Sequence, residues 1–160
     1  MAAAASNVRG MITGVHHFAL SVADAERSVA FYCGLLGLEV AADREVEGGY
    51  VATVTGIPGV RARIVMLQGH GMRLELLEYR RPRGATRSRG FADAGSAHLC
   101  FTTDDLAADA ARLAAAGVAF RSAPVAVTSG PNRGGRAVYA IDPDGNAVEL
   151  VQPAPQPVVP

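Results

Sequence analysis

Two matching stretches decide the fold, GVHHFALSVAD at residues 14–24 and GSAHLCFTTDD at residues 95–105. Aligned on His17 and His98, both begin with a glycine, continue as an apolar-rich run and reach an aspartate seven residues after the histidine. A helical pattern follows each aspartate and ends at a glycine, a common residue at helix C-termini. The pattern indicates one structural unit used twice, and we expect the function to lie where two units face each other.

Length and composition indicate a single domain with a substantial core. The chain has 160 residues, of which 49% are hydrophobic, and its apolar runs are shorter than the roughly 20 residues of a membrane span. A net charge of +0 argues against general nucleic-acid binding. We expect a cytoplasmic protein that binds neither nucleic acid nor a membrane. The expected parts are a flexible arm at 1–10, the domain at 11–152 and a proline-rich tail at 153–160.

The first strand separates two neighbouring histidines. Successive side chains of a strand alternate between its two faces. The face that carries His16 is bulky and apolar, whereas the face that carries His17 is small or polar. A pocket wall needs small side chains, so His17 is the candidate site residue and His16 faces the helix. His98 shares its face with Cys100, which therefore becomes a candidate lining residue.

The order of elements predicts a β-α-β-β-β unit in each half, at about residues 13–80 and 95–152. Residues 50–56 fit either a strand or a single helical turn. An arginine-rich loop, expected from residue 80 to about residue 90, joins the halves. It is either a solvated connection or a lid that recognises a carboxylate or phosphate, since arginine binds both in bidentate fashion.

The repeat returns in the last strand of each half, where LELLE (residues 74–78) matches VELVQ (residues 148–152). A carboxylate among apolar side chains is costly to bury, so two at matched positions indicate a function. Two imidazoles and two carboxylates suit a divalent transition metal, and such a set leaves coordination positions for water or substrate. The candidate metal ligands are His17, Glu75, His98 and Glu149.

A loop rich in glycine, proline and asparagine, residues 129–135, is a candidate for the opposite lip of the pocket. Its Asn132 and Arg133 are candidate substrate contacts. Tyr139, on the strand that follows, is a third candidate.

These motifs resemble those of the vicinal oxygen chelate superfamily, which comprises glyoxalase I, epimerases, extradiol dioxygenases and bleomycin-resistance proteins. The resemblance implies an α+β fold in which two βαβββ modules form a cupped, barrel-like mixed sheet around one divalent metal ion, Ni, Co, Zn, Mn or Fe. It also implies a homodimer. The stretches that carry it are HFALSV (17–22), RSVAFY (27–32), LELL (74–77), AHLCF (97–101) and DPDGN (142–146).

The same resemblance implies an activity. All four candidate ligands fall on the metal positions of glyoxalase I and the epimerases, whereas the dioxygenases use only the positions of His17, His98 and Glu149. The presence of Glu75 favours an isomerase or lyase that moves a proton next to a carbonyl, through a metal-stabilised enediolate or enolate. The substrate would be a small molecule with adjacent oxygens. Glu149 is the expected proton carrier and Glu75 the other candidate.

Two alternatives remain open. One is an iron(II) extradiol-type dioxygenase, and the other is a non-catalytic drug-binding resistance protein. Bacterial glyoxalase I holds glutathione with an arginine and an asparagine at the positions of Ser21 and Tyr79. Because both differ here, we expect a substrate other than the glutathione adduct, with Tyr79 as a candidate contact.

Overall fold

A computed structural model describes residues 12–85 and 90–155. The predicted N-terminal arm, the end of the proline-rich tail and two loop arginines, Arg87 and Arg89, lie outside the described residues. The first module contains β1 (Phe18–Ser21), α1 (Ala25–Tyr32), β2 (Glu39–Glu47), α2 (Gly49–Thr55), β3 (Arg61–Gly69) and β4 (Met72–Arg81). The second contains β5 (His98–Thr102), α3 (Leu106–Ala115), β6 (Ala119–Phe120), β7 (Val125–Ala126), β8 (Arg136–Ile141) and β9 (Ala147–Gln152).

Each module forms its own mixed sheet, in the orders β1-β4-β3-β2 and β5-β9-β8-β6, with β7 paired to β8. In both sheets the first strand runs parallel to the last strand of the module and antiparallel pairs complete the sheet. The predicted α+β class and the internal repeat are confirmed. Each module departs from plain βαβββ by one small element, since α2 follows β2 and β7 follows β6.

The ambiguous segment at residues 50–56 is helical, as part of α2. Its sequence alternates valine and threonine in a strand-like way, but Tyr50 and Val54 are exposed and only Val51 of the helix is buried. A left-handed glycine, Gly56, ends the helix.

The repeat extends to the caps of the two principal helices. The carboxylates of Asp24 and Asp105 accept hydrogen bonds from the backbone N–H groups of Arg27 and Ala108, each at 3.0 Å. These aspartates are therefore N-caps. After the helices, Gly37 and Gly117 have φ values of 75° and 84°, which an L side chain rarely adopts.

The two modules pack through their helix-covered faces. The main core cluster joins Tyr32 of α1 and Leu74 of β4 to Ala140 of β8 and Val148 of β9. Glu75 and Glu149 point away from this core, because each alternates with buried neighbours along its strand. The two glutamate-bearing faces therefore lie outside the contact between the modules.

A turn of the second module also fastens α1. The Tyr32 hydroxyl donates to buried Asp142 at 2.9 Å, and Arg27 donates to Asp144 at 2.7 Å. Burial, followed by the Asp142 charge, raises the pKa of Tyr32. Within the described ranges, no helix is long and apolar enough to cross a membrane.

Candidate functional site

The first histidine and glutamate meet on the open face of the first sheet. His17 immediately precedes β1, and Ala19 lies in register with Glu75 on β4. The Nε2 atom of His17 is 3.5 Å from Oε2 of Glu75, and both side chains are at least partly accessible, at 33% and 14%. His16 contacts Arg73 instead. His17 is therefore the histidine that reaches the glutamate, but the prediction that His16 faces the helix is wrong, because Arg73 shares the open face of β4 with Glu75.

His16 also contacts His17 directly. Their Nδ1 atoms are 2.7 Å apart, so the proton of one ring is shared with the other. This contact leaves Nε2 of His17 free to face Glu75 and fixes the orientation of the ring.

The second histidine and glutamate repeat the arrangement. Nε2 of His98, on β5, is 3.1 Å from Oε2 of Glu149 on β9. Register brings them together, because Cys100 pairs with Glu149 as Ala19 pairs with Glu75.

The surroundings of the two glutamates differ. The Tyr139 hydroxyl donates to Oε2 of Glu149 at 3.4 Å. The Tyr139 ring also meets the His98 ring edge-on, with ring centroids 5.3 Å apart. The Cys100 thiol is a second donor to Glu149. Burial, followed by the Glu149 charge, raises the pKa of Tyr139 and raises that of Cys100 to about 11. Cys100 is therefore a thiol at neutral pH, which argues against a nucleophilic role.

These contacts lie along one row that crosses the second sheet. The row runs Cys100, Glu149, Tyr139 and Arg121, where Arg121 donates its backbone N–H to the Tyr139 carbonyl. The matching row of the first sheet consists of Ala19, Glu75, Met66 and Ala42. The first module thus presents its His–Glu pair on an apolar floor, whereas the second surrounds its pair with hydrogen-bond donors.

The remaining predicted contacts lie elsewhere. Tyr79 is farther along β4 than Glu75 and lines a separate cavity of about 230 Å³ with Ser21 and Arg83. Asn132 and Arg133 are exposed on the loop between β7 and β8. Of the substrate contacts predicted from sequence, the structure brings Cys100 and Tyr139 to a His–Glu pair.

The arginine-rich loop begins later than the sequence predicts. Arg80 and Arg81 end β4, and acidic side chains of β2 accept their hydrogen bonds: Glu45 from Arg80 and Glu47 from Arg81. These two arginines hold neighbouring strands of the sheet together, so the prediction that the loop begins at residue 80 is wrong. Arg83 is the described loop arginine that faces a cavity.

Sequence reasoning missed two residues beside Tyr139. Phe91, from the segment between the modules, packs edge-on against the Tyr139 ring with centroids 5.0 Å apart. The Arg121 guanidinium lies 4.8 Å from the centre of the Phe91 ring. A signal for Arg121 existed in its alternation along the strand, but the linker sequence has no periodicity that singles out Phe91.

The donor atoms fit a divalent cation. Ligand atoms about 2.0–2.2 Å from a metal, at mutual angles of about 90–109°, lie about 2.8–3.6 Å apart. The two Nε2–Oε2 distances of 3.5 and 3.1 Å fall in this range. Over residues 12–85 and 90–155, however, no three His, Cys, Asp or Glu side chains gather closely enough to hold an ion. One chain thus presents two separate half-sets of ligands.

Comparison with known proteins identifies relatives of this chain. A protein named 2-epi-5-epi-valiolone epimerase, from an Actinomyces species, is 34% identical over 142 residues, which cover 86% of this chain and 78% of the relative. A solved antibiotic binding protein from a Streptomyces species is 29% identical, with a TM-score of 0.59 and coverage of 91% of this chain and 99% of that one.

A glyoxalase family protein from Bacillus cereus shares the fold, with a TM-score of 0.81 at 20% identity over 92% of this chain and 99% of that one. The family model described as the Glyoxalase/Bleomycin resistance protein/Dioxygenase superfamily matches residues 14–150, which span both modules and both His–Glu pairs. The chain therefore belongs to the glyoxalase/bleomycin resistance protein/dioxygenase superfamily.

Proposed function

We propose that this protein is a divalent-metal-dependent epimerase or related isomerase, which moves a proton next to the carbonyl group of a small hydroxyketone. The observation that carries the proposal is the pair of matched His–Glu contacts, with Nε2–Oε2 distances of 3.5 and 3.1 Å. The relative named as an epimerase, at 34% identity, favours inversion of a stereocentre over a lyase or dioxygenase reaction.

The four ligands come from two copies of the chain in this proposal. His17 and Glu75 of one copy face His98 and Glu149 of another. The modules of one chain pack through their helix-covered faces, which turns the two His–Glu pairs away from each other. A symmetric dimer that joins opposite faces would form two identical sites, and such closed two-fold dimers are the commonest oligomers.

The carboxylates perform the proton transfer. When bound, a divalent ion supplies Lewis acidity to two adjacent oxygens of the substrate. Glu149 removes the proton from the carbon beside the carbonyl; the C–H electron pair moves toward the carbonyl oxygen, which gives an enolate. Glu75 relays a proton from water to the opposite face of that carbon, and Glu149 releases its proton to water, so both carboxylates return to their starting state. One base on each side inverts the stereocentre without a net change in protons.

The donors around Glu149 assign it the first of these roles. Tyr139 at 3.4 Å and the Cys100 thiol both donate to its carboxylate, and together they fix its orientation. Glu75 lies opposite Met66, which offers no comparable donor. A base that must meet one C–H bond in a fixed direction gains from such positioning.

A non-catalytic binder is the second candidate. The antibiotic binding protein that matches 91% of this chain at 29% identity favours it. A binder does not need two matched His–Glu pairs, so the retention of both pairs gives the epimerase the stronger support.

The decisive experiment combines metal analysis with proton exchange. Freshly purified protein should contain about one divalent ion per chain, since a two-fold dimer has as many sites as chains. In D2O, the metal-loaded protein should epimerise 2-epi-5-epi-valiolone and place one deuterium at the inverted carbon, seen by NMR. Metal-free protein that retains full activity, or inversion without deuterium, would overturn the proposal.

Alanine variants of the four ligands separate the alternatives. Loss of metal in all four supports the epimerase. A different result would indicate the facial triad of an iron(II) dioxygenase instead. In that case metal would be lost from His17→Ala, His98→Ala and Glu149→Ala but kept by Glu75→Ala. Tight binding of an antibiotic by wild-type protein without metal would favour the binder.

A further inference from the structure

We propose that Arg121 and Phe91 form a subsite for an anionic group, a phosphate or a carboxylate, on the substrate that reacts at Glu149. This inference rests on the proposed function, because it assigns a substrate class to the same site. It concerns Arg121 of the second module and Phe91 of the segment between the modules, which contact Tyr139 rather than a candidate metal ligand.

The position of Arg121 follows from strand register. Its backbone N–H donates to the carbonyl of Tyr139, and Tyr139 pairs with Glu149. Adjacent strands are about 4.8 Å apart, so the Cα atom of Arg121 lies about 10 Å from that of Glu149 along the sheet. Both side chains project from the same face, because residues in direct cross-strand register share a face. A small ligand centred over Glu149 can extend to the guanidinium.

Phe91 holds the guanidinium in place. The centre of its ring is 4.8 Å from the Arg121 guanidinium carbon, and its edge packs on Tyr139. Stacking on an aromatic face restricts the guanidinium while leaving its N–H donors at the rim for a ligand. Phe91 itself remains 45% exposed, so one side of the stack faces open space.

The segment that carries Phe91 is braced by its own hydrogen bonds. Asp93 accepts from the backbone N–H of Gly90 at 2.7 Å, and the Ser96 hydroxyl donates to the Gly90 carbonyl at 2.8 Å. This compact turn presents Phe91 at a fixed position next to Tyr139. A segment that only connected the modules would not require this brace or an exposed aromatic ring over the site.

The charge of Arg121 is available for a ligand. Other arginines near the sheets are neutralised: Arg63 binds Asp43 and Glu26, and Arg80 binds Glu45 and Glu78. In the part of the chain that the structure describes, no carboxylate pairs with Arg121. The matching row of the first module ends at Ala42, so the cation is a feature of the second module alone. An exposed arginine that is stacked on an aromatic ring and lacks an acidic partner can bind an anion in bidentate fashion.

The test measures binding rather than turnover. Isothermal titration of metal-loaded protein would compare D-xylulose with D-xylulose 5-phosphate, two ketoses with adjacent oxygens that differ by the phosphate. We expect the phosphate ester to bind at least about tenfold more tightly, and Arg121→Gln to remove this preference. Phe91→Ala should weaken the preference by about threefold to tenfold, because the guanidinium loses its aromatic support.

The control is Arg61→Gln, which removes an exposed arginine that pairs with Glu45 on the first sheet. It should retain the full preference. Competition by inorganic phosphate but not acetate would identify a phosphate group, whereas competition by both would extend the subsite to carboxylates. The subsite would be overturned if wild-type protein showed no preference for the phosphate ester or bound neither ketose. It would also be overturned if the preference survived in Arg121→Gln.

Failure of this subsite and failure of the proposed function are distinguishable. Metal content and deuterium incorporation test the ligand set and do not involve Arg121. A protein that holds metal and epimerises a neutral ketone, yet shows no anion preference, would refute only the subsite. A protein that is fully active without metal, yet prefers the phosphate ester through Arg121, would refute only the metal-dependent reaction.

Discussion

The Tyr139 hydroxyl donates to the Glu149 carboxylate at 3.4 Å, across strands on which the two residues lie in direct register. The matching residue of the first module is Met66, opposite Glu75. The two halves of the chain therefore share the glutamate but differ in the residue that lies opposite it. This difference is a physical reason to assign the two carboxylates different roles.

We predict that Tyr139→Phe lowers kcat by about 10–100-fold, the range expected when a residue that supports a ligand is removed. The substitution keeps the ring contact with His98 and removes only the hydroxyl that orients Glu149. Metal content by mass spectrometry and kcat by NMR would check the prediction. Tyr50→Phe removes a hydroxyl from the exposed surface of α2 and should leave both quantities unchanged. Equal activity in the two variants would refute a positioning role for Tyr139.

The sequence predicts the features that depend on local pattern. The contacts of His17 with Glu75 and of His98 with Glu149 follow from the repeat alignment, which matches the two halves residue by residue. The aspartates that end the matching stretches, Asp24 and Asp105, cap the two helices. Each needs only a few neighbouring residues and one comparison between the halves.

The features that sequence reasoning missed depend on contacts between distant segments. Glu78 and Gln152 match in the repeat, and in the structure each accepts from a first-turn N–H, of Ala25 and Leu106 respectively. Arg80 likewise finds Glu45 on a strand whose pairing cannot be read from composition. The packing of one module against the other is also set by contacts between distant segments. The separation of the two His–Glu pairs therefore could not be predicted from the sequence.

The turn that fastens α1 should be important for stability. The Asp144 side chain is 8% exposed and accepts from Arg27 at 2.7 Å, from the N–H of Ala23 at 3.2 Å and from the Ser28 hydroxyl at 3.4 Å. We predict that Asp144→Ala lowers the free energy of unfolding by about 1–3 kcal/mol, because three donors, of which Ser28 is buried, lose a charged acceptor. Urea unfolding would measure the change.

A double-mutant cycle isolates the ion pair. Arg27→Met and Asp144→Ala should be less than additive, since each removes the same contact between the modules. Strict additivity would show that Arg27 and Asp144 contribute independently, contrary to the geometry.

Acid should weaken the start of α3. The Thr103 hydroxyl, at 2.5 Å, and then the Arg112 guanidinium, at 2.7 Å, hold the pKa of Asp109 below its ordinary value. A pKa lower in the folded than in the unfolded state contributes stability above the ordinary value of 3.8, and this contribution is lost as pH falls through the folded value. We predict that Asp109→Asn costs about 1 kcal/mol at neutral pH, on the scale of a net side-chain hydrogen bond.

The cost should shrink as the pH falls below 3.8 and through the lower folded pKa of Asp109, because the wild-type carboxyl then becomes protonated. Urea unfolding at several pH values would measure it, with exposed Asp104→Asn as the matched control. A cost that stays constant from neutral to acid pH would contradict an electrostatic origin.

The proposal that two copies of the chain share the four ligands leads to a complementation test. A variant with His17→Ala and Glu75→Ala lacks the first pair, and a variant with His98→Ala and Glu149→Ala lacks the second, so each alone should be inactive. In a mixed dimer, one site combines both damaged pairs and the other combines both intact pairs. Random mixing gives mixed dimers in about half of the population, so about a quarter of wild-type activity and metal should return. Ligands drawn from a single chain would give no recovery, because every chain in the mixture carries one damaged pair.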